Sequence, residues 1–82
     1  MRIDKFLNAV NITKRRSIAQ DMLANKVVCI NDVVVKASKN VALGDTIKIN
    51  YLESVKKYEV LQLPTTKSTP KSLQSEYIKE LS

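Results

Sequence analysis

Three consecutive cations, Lys14-Arg15-Arg16, stand at the head of an amphipathic stretch, and Arg2, Lys5, Lys26, Lys36 and Lys39 lie in the same first forty residues. Guanidinium and ammonium groups are donors without acceptors, suited to phosphate oxygens. The groups that catalysis draws on are missing or dispersed. There is no histidine, the commonest general base and metal ligand. The single cysteine, Cys29, can build neither a zinc site nor an internal disulfide, and it lies in an apolar run as a small core residue. One glycine leaves no glycine-rich nucleotide loop. Asp4, Asp21, Asp32 and Asp45 are scattered over expected turns and helix surfaces, which disfavours a metal-carboxylate site. The chain reads as a binding protein, not an enzyme, with no metal or cofactor.

The charge is one-sided. The net charge is +6; residues 1–40 hold eight Lys and Arg against three Asp, a balance of +5, and the remainder is nearly neutral at +1. A basic half joined to a neutral one suggests a surface for a polyanion. Excess lysine also serves solubility, and charge alone does not separate the two. An anionic membrane fits less well, because the cations sit at element ends and not along one face of a long amphipathic helix. No run approaches a bilayer-spanning length, the N-terminus lacks a signal-peptide run, and one cysteine gives no sign of an oxidising compartment, so a cytoplasmic location is expected.

These cations need elements to position them. Eighty-two residues make one small domain. Ile3, Phe6, Leu7 and Val10 recur at i, i+3, i+4 and i+7, a helix whose stripe leaves Arg2, Asp4, Lys5 and Asn8 outside; Asn11 breaks it. Thr13 is the N-cap expected for a second helix over about 14–25, with Ile18, Ala19, Met22 and Leu23 apolar and Arg16 and Gln20 to one side. On that reading Lys14, Arg15 and Arg16 fill the first turn. The macrodipole there disfavours cations, and such a local conflict is expected at a functional site. Val27–Ile30 and Val33–Val35 flank Asn31-Asp32, a hairpin signal. Lys26 lies at the helix-to-strand junction, and Lys36 and Lys39 follow the second strand. Gly44 marks a turn needing positive φ. Strands are expected over 46–51, with Ile47, Ile49 and Tyr51 on one face, and over 56–63. The organisation is a domain over 1–63, a Pro/Thr linker over 64–69, and a tail over 70–82. That tail reads as an amphipathic helix through Leu73, Tyr77, Ile78 and Leu81.

Phe6, Tyr51, Tyr58 and Tyr77 are the only aromatics and fall on apolar faces, so no strand offers a stacking platform for single-stranded bases. A major-groove reader would need more base-contacting groups than Arg16 and Gln20 on the second helix. Structured RNA, met through its phosphates, remains. Four ordered blocks then become specific: R-I-D-K-F-L, K-R-R-S-I-A, V-C-I-N-D-V-V-V-K-A-S and V-A-L-G-D-T-I-K-I. Together, over about residues 1–51, they resemble the S-four RNA-binding domain, or αL motif. The nearest resemblance is to the stand-alone bacterial members, the RqcP-like ribosome quality-control factors and the small ribosome-binding heat-shock protein.

The resemblance implies an α+β fold of two or three short helices on a small, mostly antiparallel sheet. It also implies an RNA surface built by the first two helices and the loop after the hairpin. Arg2, Asp4 and Lys5 match the family's opening block, Lys14, Arg15 and Arg16 its basic entry to the second helix, and Asn31 and Lys36 its hairpin motif. The resemblance implies that Asp4 orients Arg2 or Lys5 and does not contact RNA, with a plain surface or helix-start role left open. Asp32 replaces the usual glycine, and the tail lacks the long basic extension of the heat-shock type, which favours the quality-control type. With Gln20, Lys26 and Lys39 added from the reading above, the expected RNA-binding set is Arg2, Lys5, Lys14, Arg15, Arg16, Gln20, Lys26, Lys36 and Lys39. The implied partners are ribosomal RNA, tRNA and the large ribosomal subunit, met by a monomer. Another structured RNA, or a protein partner taken by the tail helix, stays open.

Overall fold

In the computed structural model, which describes residues 1–65 and 69–81, the apolar spacing seen in the sequence becomes the core. Helix α1 (Ile3–Ala9) turns Ile3, Phe6, Leu7 and Val10 inward until none is exposed. Helix α2 (Arg16–Ala24) adds Ala19 and Leu23. Both helices close onto one face of an antiparallel sheet through Val28, Ile30, Ile47, Ile49 and Val60. Its strands are β1 (Val28–Ile30), β2 (Val33–Val34), β3 (Thr46–Asn50), β4 (Val55–Val60) and β5 (Ile78–Glu80), in the spatial order β2-β1-β3-β4-β5. The architecture is the expected α+β one.

The two-residue hairpin between β1 and β2 has Asn31 at φ 51° and Asp32 at φ 68°, the positive pair a type I′ turn requires. Asp32 therefore adopts the conformation for which glycine is the easier residue. Asn31 does more than turn the chain. Its backbone N–H donates to the Thr46 carbonyl at 2.9 Å, and its side-chain oxygen accepts from the Thr46 N–H at 3.0 Å. The turn is thereby fastened to the start of β3. Gly44 sits at φ 84°, as its position predicted, with open space where a Cβ would lie, so conformation and not crowding is what requires glycine.

Helices α1 and α2 end identically. Asn11 (φ 66°) and Lys26 (φ 61°) occupy the left-handed position just past each helix. In α1 the Ile12 N–H returns to the Leu7 carbonyl at 3.0 Å and Asn11 N–H to Asn8 at 3.1 Å. In α2 Val27 N–H returns to Met22 at 3.3 Å and Lys26 N–H to Leu23 at 3.1 Å. Both are Schellman closures.

Three expectations need correcting. Thr13 does not cap α2: Arg15 is the N-cap residue, no side chain caps it, and Lys14 and Arg15 precede the helix instead of filling its first turn. The reason lies in the α1 closure, where Thr13 N–H also bonds Leu7 at 3.1 Å, which buries Thr13 behind α1. Tyr51 is not on the inner face with Ile47 and Ile49; β3 ends at Asn50 and Tyr51 is exposed. The helix expected over the tail is confined to a 3₁₀ turn at Lys71–Leu73 and α3 (Gln74–Tyr77), after which the chain becomes β5. So short a helix has little stability of its own, whereas β4 without β5 would leave an open edge. Ile78 pairs with Val60 and is buried in the core. Thr69 N–H and Oγ1 both bond the Ala9 carbonyl at 2.9 Å, so this end of the expected linker is held on α1. Residues 66–68 of that linker and residue 82 of the tail lie outside the described residues.

Candidate nucleic-acid interface

The expected site residues meet around one buried carboxylate. Asp4, which the apolar stripe placed outside the core, has no exposed surface. Its Oδ1 accepts the Lys5 N–H at 2.8 Å. Its Oδ2 accepts Arg16 Nε at 3.2 Å, an Arg16 terminal nitrogen at 3.1 Å and Gln20 Nε2 at 3.2 Å. Arg2 Nε lies 3.3 Å from Oδ1. Arg16 and Gln20 are one helical turn apart, so packing α2 against α1 delivers both to the same oxygen. Burial alone would raise the Asp4 pKa; the hydrogen bonds from Gln20, Arg16 and the Lys5 N–H, with the Arg16 charge, outweigh it and hold the carboxyl below its ordinary value.

The carboxylate does not conceal the guanidiniums. The Arg2 and Arg16 side chains keep 46% and 42% of their surface. A guanidinium has five donors, so each retains N–H groups facing solvent after binding Asp4. Lys39 is brought beside Arg2 by the backbone: Ile3 N–H bonds the Lys39 carbonyl at 2.8 Å, and Arg2 bridges to Asn40. Lys26 and Lys36 both line a groove between α2 and β2, which Gln20 also lines. Gln20 thus belongs both to the Asp4 cluster and to the groove. Lys36 and Lys39 share a second depression, lined also by residues of the hairpin.

The structure therefore joins Arg2, Arg16, Gln20, Lys26, Lys36 and Lys39 into one linked surface. Lys5 is exposed on α1, and Lys14 and Arg15 are exposed ahead of α2; no contact in the described residues ties these three side chains to the cluster. Of the partners expected for Asp4, Arg2 is met through its side chain and Lys5 only through its backbone N–H; the sequence reading missed Arg16 and Gln20, which make Asp4 the hub. The available signal was the Arg2-x-Asp4 spacing together with the Arg16/Gln20 pair, three donor side chains on two helices that the apolar stripes pack together. Among the described residues no group of three metal-ligating side chains occurs, and no helix is long and apolar enough to cross a membrane.

Residues 1–47 match the family model of the S4 domain. The chain belongs to the S4 domain family. Among similar proteins of this family, one from Helicobacter pylori is 46% identical over 71 residues, covering 87% of this chain and 84% of its own; one from Bacillus subtilis is 32% identical over 66 residues, covering 80% and 77%. Both are named RQC P-site tRNA stabilizing factor. Among solved structures, a trimeric Vibrio cholerae Heat Shock Protein 15 superposes with a TM-score of 0.89 at 24% identity, over all of this chain and 82% of that one. The solution structure of the hypothetical protein HP1423 superposes at 0.86 with 43% identity, over 100% and 98%. Both superpositions run beyond the matched segment and take in β4, α3 and β5 as well.

Proposed function

We propose that this chain is an RNA-binding protein that holds tRNA, together with structured ribosomal RNA, on the large ribosomal subunit during quality control of stalled nascent chains. The observation that carries this reading is the 46% identity, over 87% of the chain, to a factor named for stabilising P-site tRNA. The basic surface supports it. Six linked cationic or amide side chains and three further exposed cations offer phosphate contacts without any catalytic group beside them.

In this reading the protein is an electrostatic clamp, not an enzyme. Arg2, Lys5, Lys14, Arg15, Arg16, Gln20, Lys26, Lys36 and Lys39 make the contact, and Asp4 aims two of the guanidiniums. Each phosphate neutralised releases counterions, so about five such contacts give a log–log salt slope of roughly −4 on duplex-like RNA. The clamp acts in the cytoplasm as a monomer. Gel filtration with light scattering checks the latter, and a stable trimer would overturn it.

The deciding experiment is a ribosome gradient of cells making the tagged chain, with sequencing of the RNA that co-purifies. Sedimentation with free large subunits carrying tRNA is the expected result. Absence from every ribosomal fraction would overturn the reading.

A further inference from the structure

We infer that the groove between α2 and β2 receives one unpaired nucleotide of the bound RNA, and that Gln20 reads its base as a fixed hydrogen-bond acceptor. This rests on the RNA-binding reading above and adds a place where sequence is sensed. The groove has a volume of about 430 Å³, and its apolar lining is Leu23, Ala24, Val34, Val35 and Ala37. Val34 is half exposed on an edge strand, so this apolar lining is open to a planar apolar face. Lys26 and Lys36, both exposed, line the groove as well. An apolar lining that also carries two cations matches a nucleotide, whose base is apolar on its faces and whose flanking phosphates are anionic. An apolar peptide would leave the two lysines unmatched.

Gln20 gives the groove a reading head. A carboxylate oxygen can only accept, so the end of the Gln20 amide facing Asp4 must be the NH₂ group, and Nε2 lies 3.2 Å from Oδ2. The opposite orientation would set two acceptors against each other. The carbonyl oxygen of the amide is left pointing away from Asp4, and no donor reaches it among the described residues. A glutamine held this way no longer offers the donor-or-acceptor ambiguity of a free amide. It selects a base edge that presents an amino group: N6 of adenine, N4 of cytosine or N2 of guanine. Uracil has no amino group, and its single N–H is flanked by two carbonyls that oppose the glutamine oxygen.

The test uses the full chain and four RNA stem–loops that differ only in one bulged nucleotide, A, C, G or U, with the unbulged stem as reference. The wild-type protein is expected to bind the amino-bearing bulges about three- to tenfold more tightly than the U bulge, the worth of one net hydrogen bond. In Gln20→Met, which keeps the side chain's length and apolar stem, affinity for those bulges is expected to fall to that of the U bulge. Lys26→Gln is expected to weaken all four bulges together. Equal affinity of the wild type for all bulges overturns the inference while leaving the clamp intact. A preference that persists in Gln20→Met also overturns it, since the preference would then belong to the RNA. Failure to bind even the unbulged stem overturns the clamp reading and this inference with it.

Discussion

The basic surface contains two kinds of cation. Arg2 and Arg16 are held on a buried carboxylate, with their remaining donors turned outward. Lys14, Arg15, Lys36 and Lys39 are exposed and have no carboxylate within ion-pair distance among the described residues. The first kind has already lost rotamer freedom in folding, so it loses less on binding and can set the register of a phosphate. The second kind acts at a distance, raising the local concentration of a polyanion whatever its sequence. An acid placed among cations therefore need not weaken an anion site. Buried beneath it, the acid turns mobile charges into directed ones.

The comparison breaks most visibly at Asp4. Asp4→Ala removes the acceptor of two arginines, one amide and one backbone N–H. With both guanidiniums still open to water, the loss of folding stability is expected to be about 2 to 3 kcal/mol. Chemical denaturation checks the number. The same carboxylate supplies a pH signature. Its folded pKa is lowered, so the unfolded chain binds the proton more readily. The stabilisation is complete above the unfolded value of about 3.9 and is lost as pH falls through the folded one. Thermal melts of the wild type should drop through that acid window more steeply than those of Asp4→Asn; parallel curves would mean that Asp4 carries no such linkage.

Arg16 and Arg15 are neighbours in sequence and belong to different kinds, which makes them the sharpest pair. Arg16→Ala is expected to weaken RNA binding by about tenfold and to cost about 1 kcal/mol of stability through its lost bonds to Asp4. Arg15→Ala should leave stability within about 0.5 kcal/mol and weaken binding only a few fold, with the salt slope reduced by about one. Filter binding across a salt series, beside denaturation of the same variants, separates the two. Equal behaviour of the pair would remove the distinction between directed and mobile cations.

What the sequence made legible was whatever depends on near neighbours. The stripe Ile3, Phe6, Leu7, Val10 is buried throughout, Asn31-Asp32 is the turn, and Gly44 has the positive φ its place demanded. What stayed hidden depends on residues far apart in the chain. Asp4 lies off its own helix's apolar stripe and is buried only because α2 brings Arg16 and Gln20 across it, twelve and sixteen residues on. The tail misled for the same reason. Leu73, Tyr77 and Leu81 do have helical spacing, but the open edge of β4 competes for Ile78–Glu80 and prevails, a contest no local period records. The cation set was legible by type; its division into directed and mobile members was not.

The smallest predicted effect tests a comparison between the two helix ends. Asn11 and Lys26 occupy the same left-handed position in the same closure, yet asparagine is at ease there and lysine is not. A side chain other than glycine or asparagine costs about 1 kcal/mol at such a position. For folding alone glycine would serve better at residue 26, and the proposed contact of Lys26 with RNA supplies a reason for a lysine there. Lys26→Gly is therefore expected to gain up to about 1 kcal/mol of stability and to lose one unit of salt slope in RNA binding. Asn11→Gly, the matched change at the other end, should alter RNA binding not at all, while losing the Asn11 Nδ2 bond to the Thr69 carbonyl at 2.7 Å and with it any gain in stability. A stabilised Lys26→Gly that binds RNA like the wild type would place Lys26 outside the site and leave its strained conformation without a purpose.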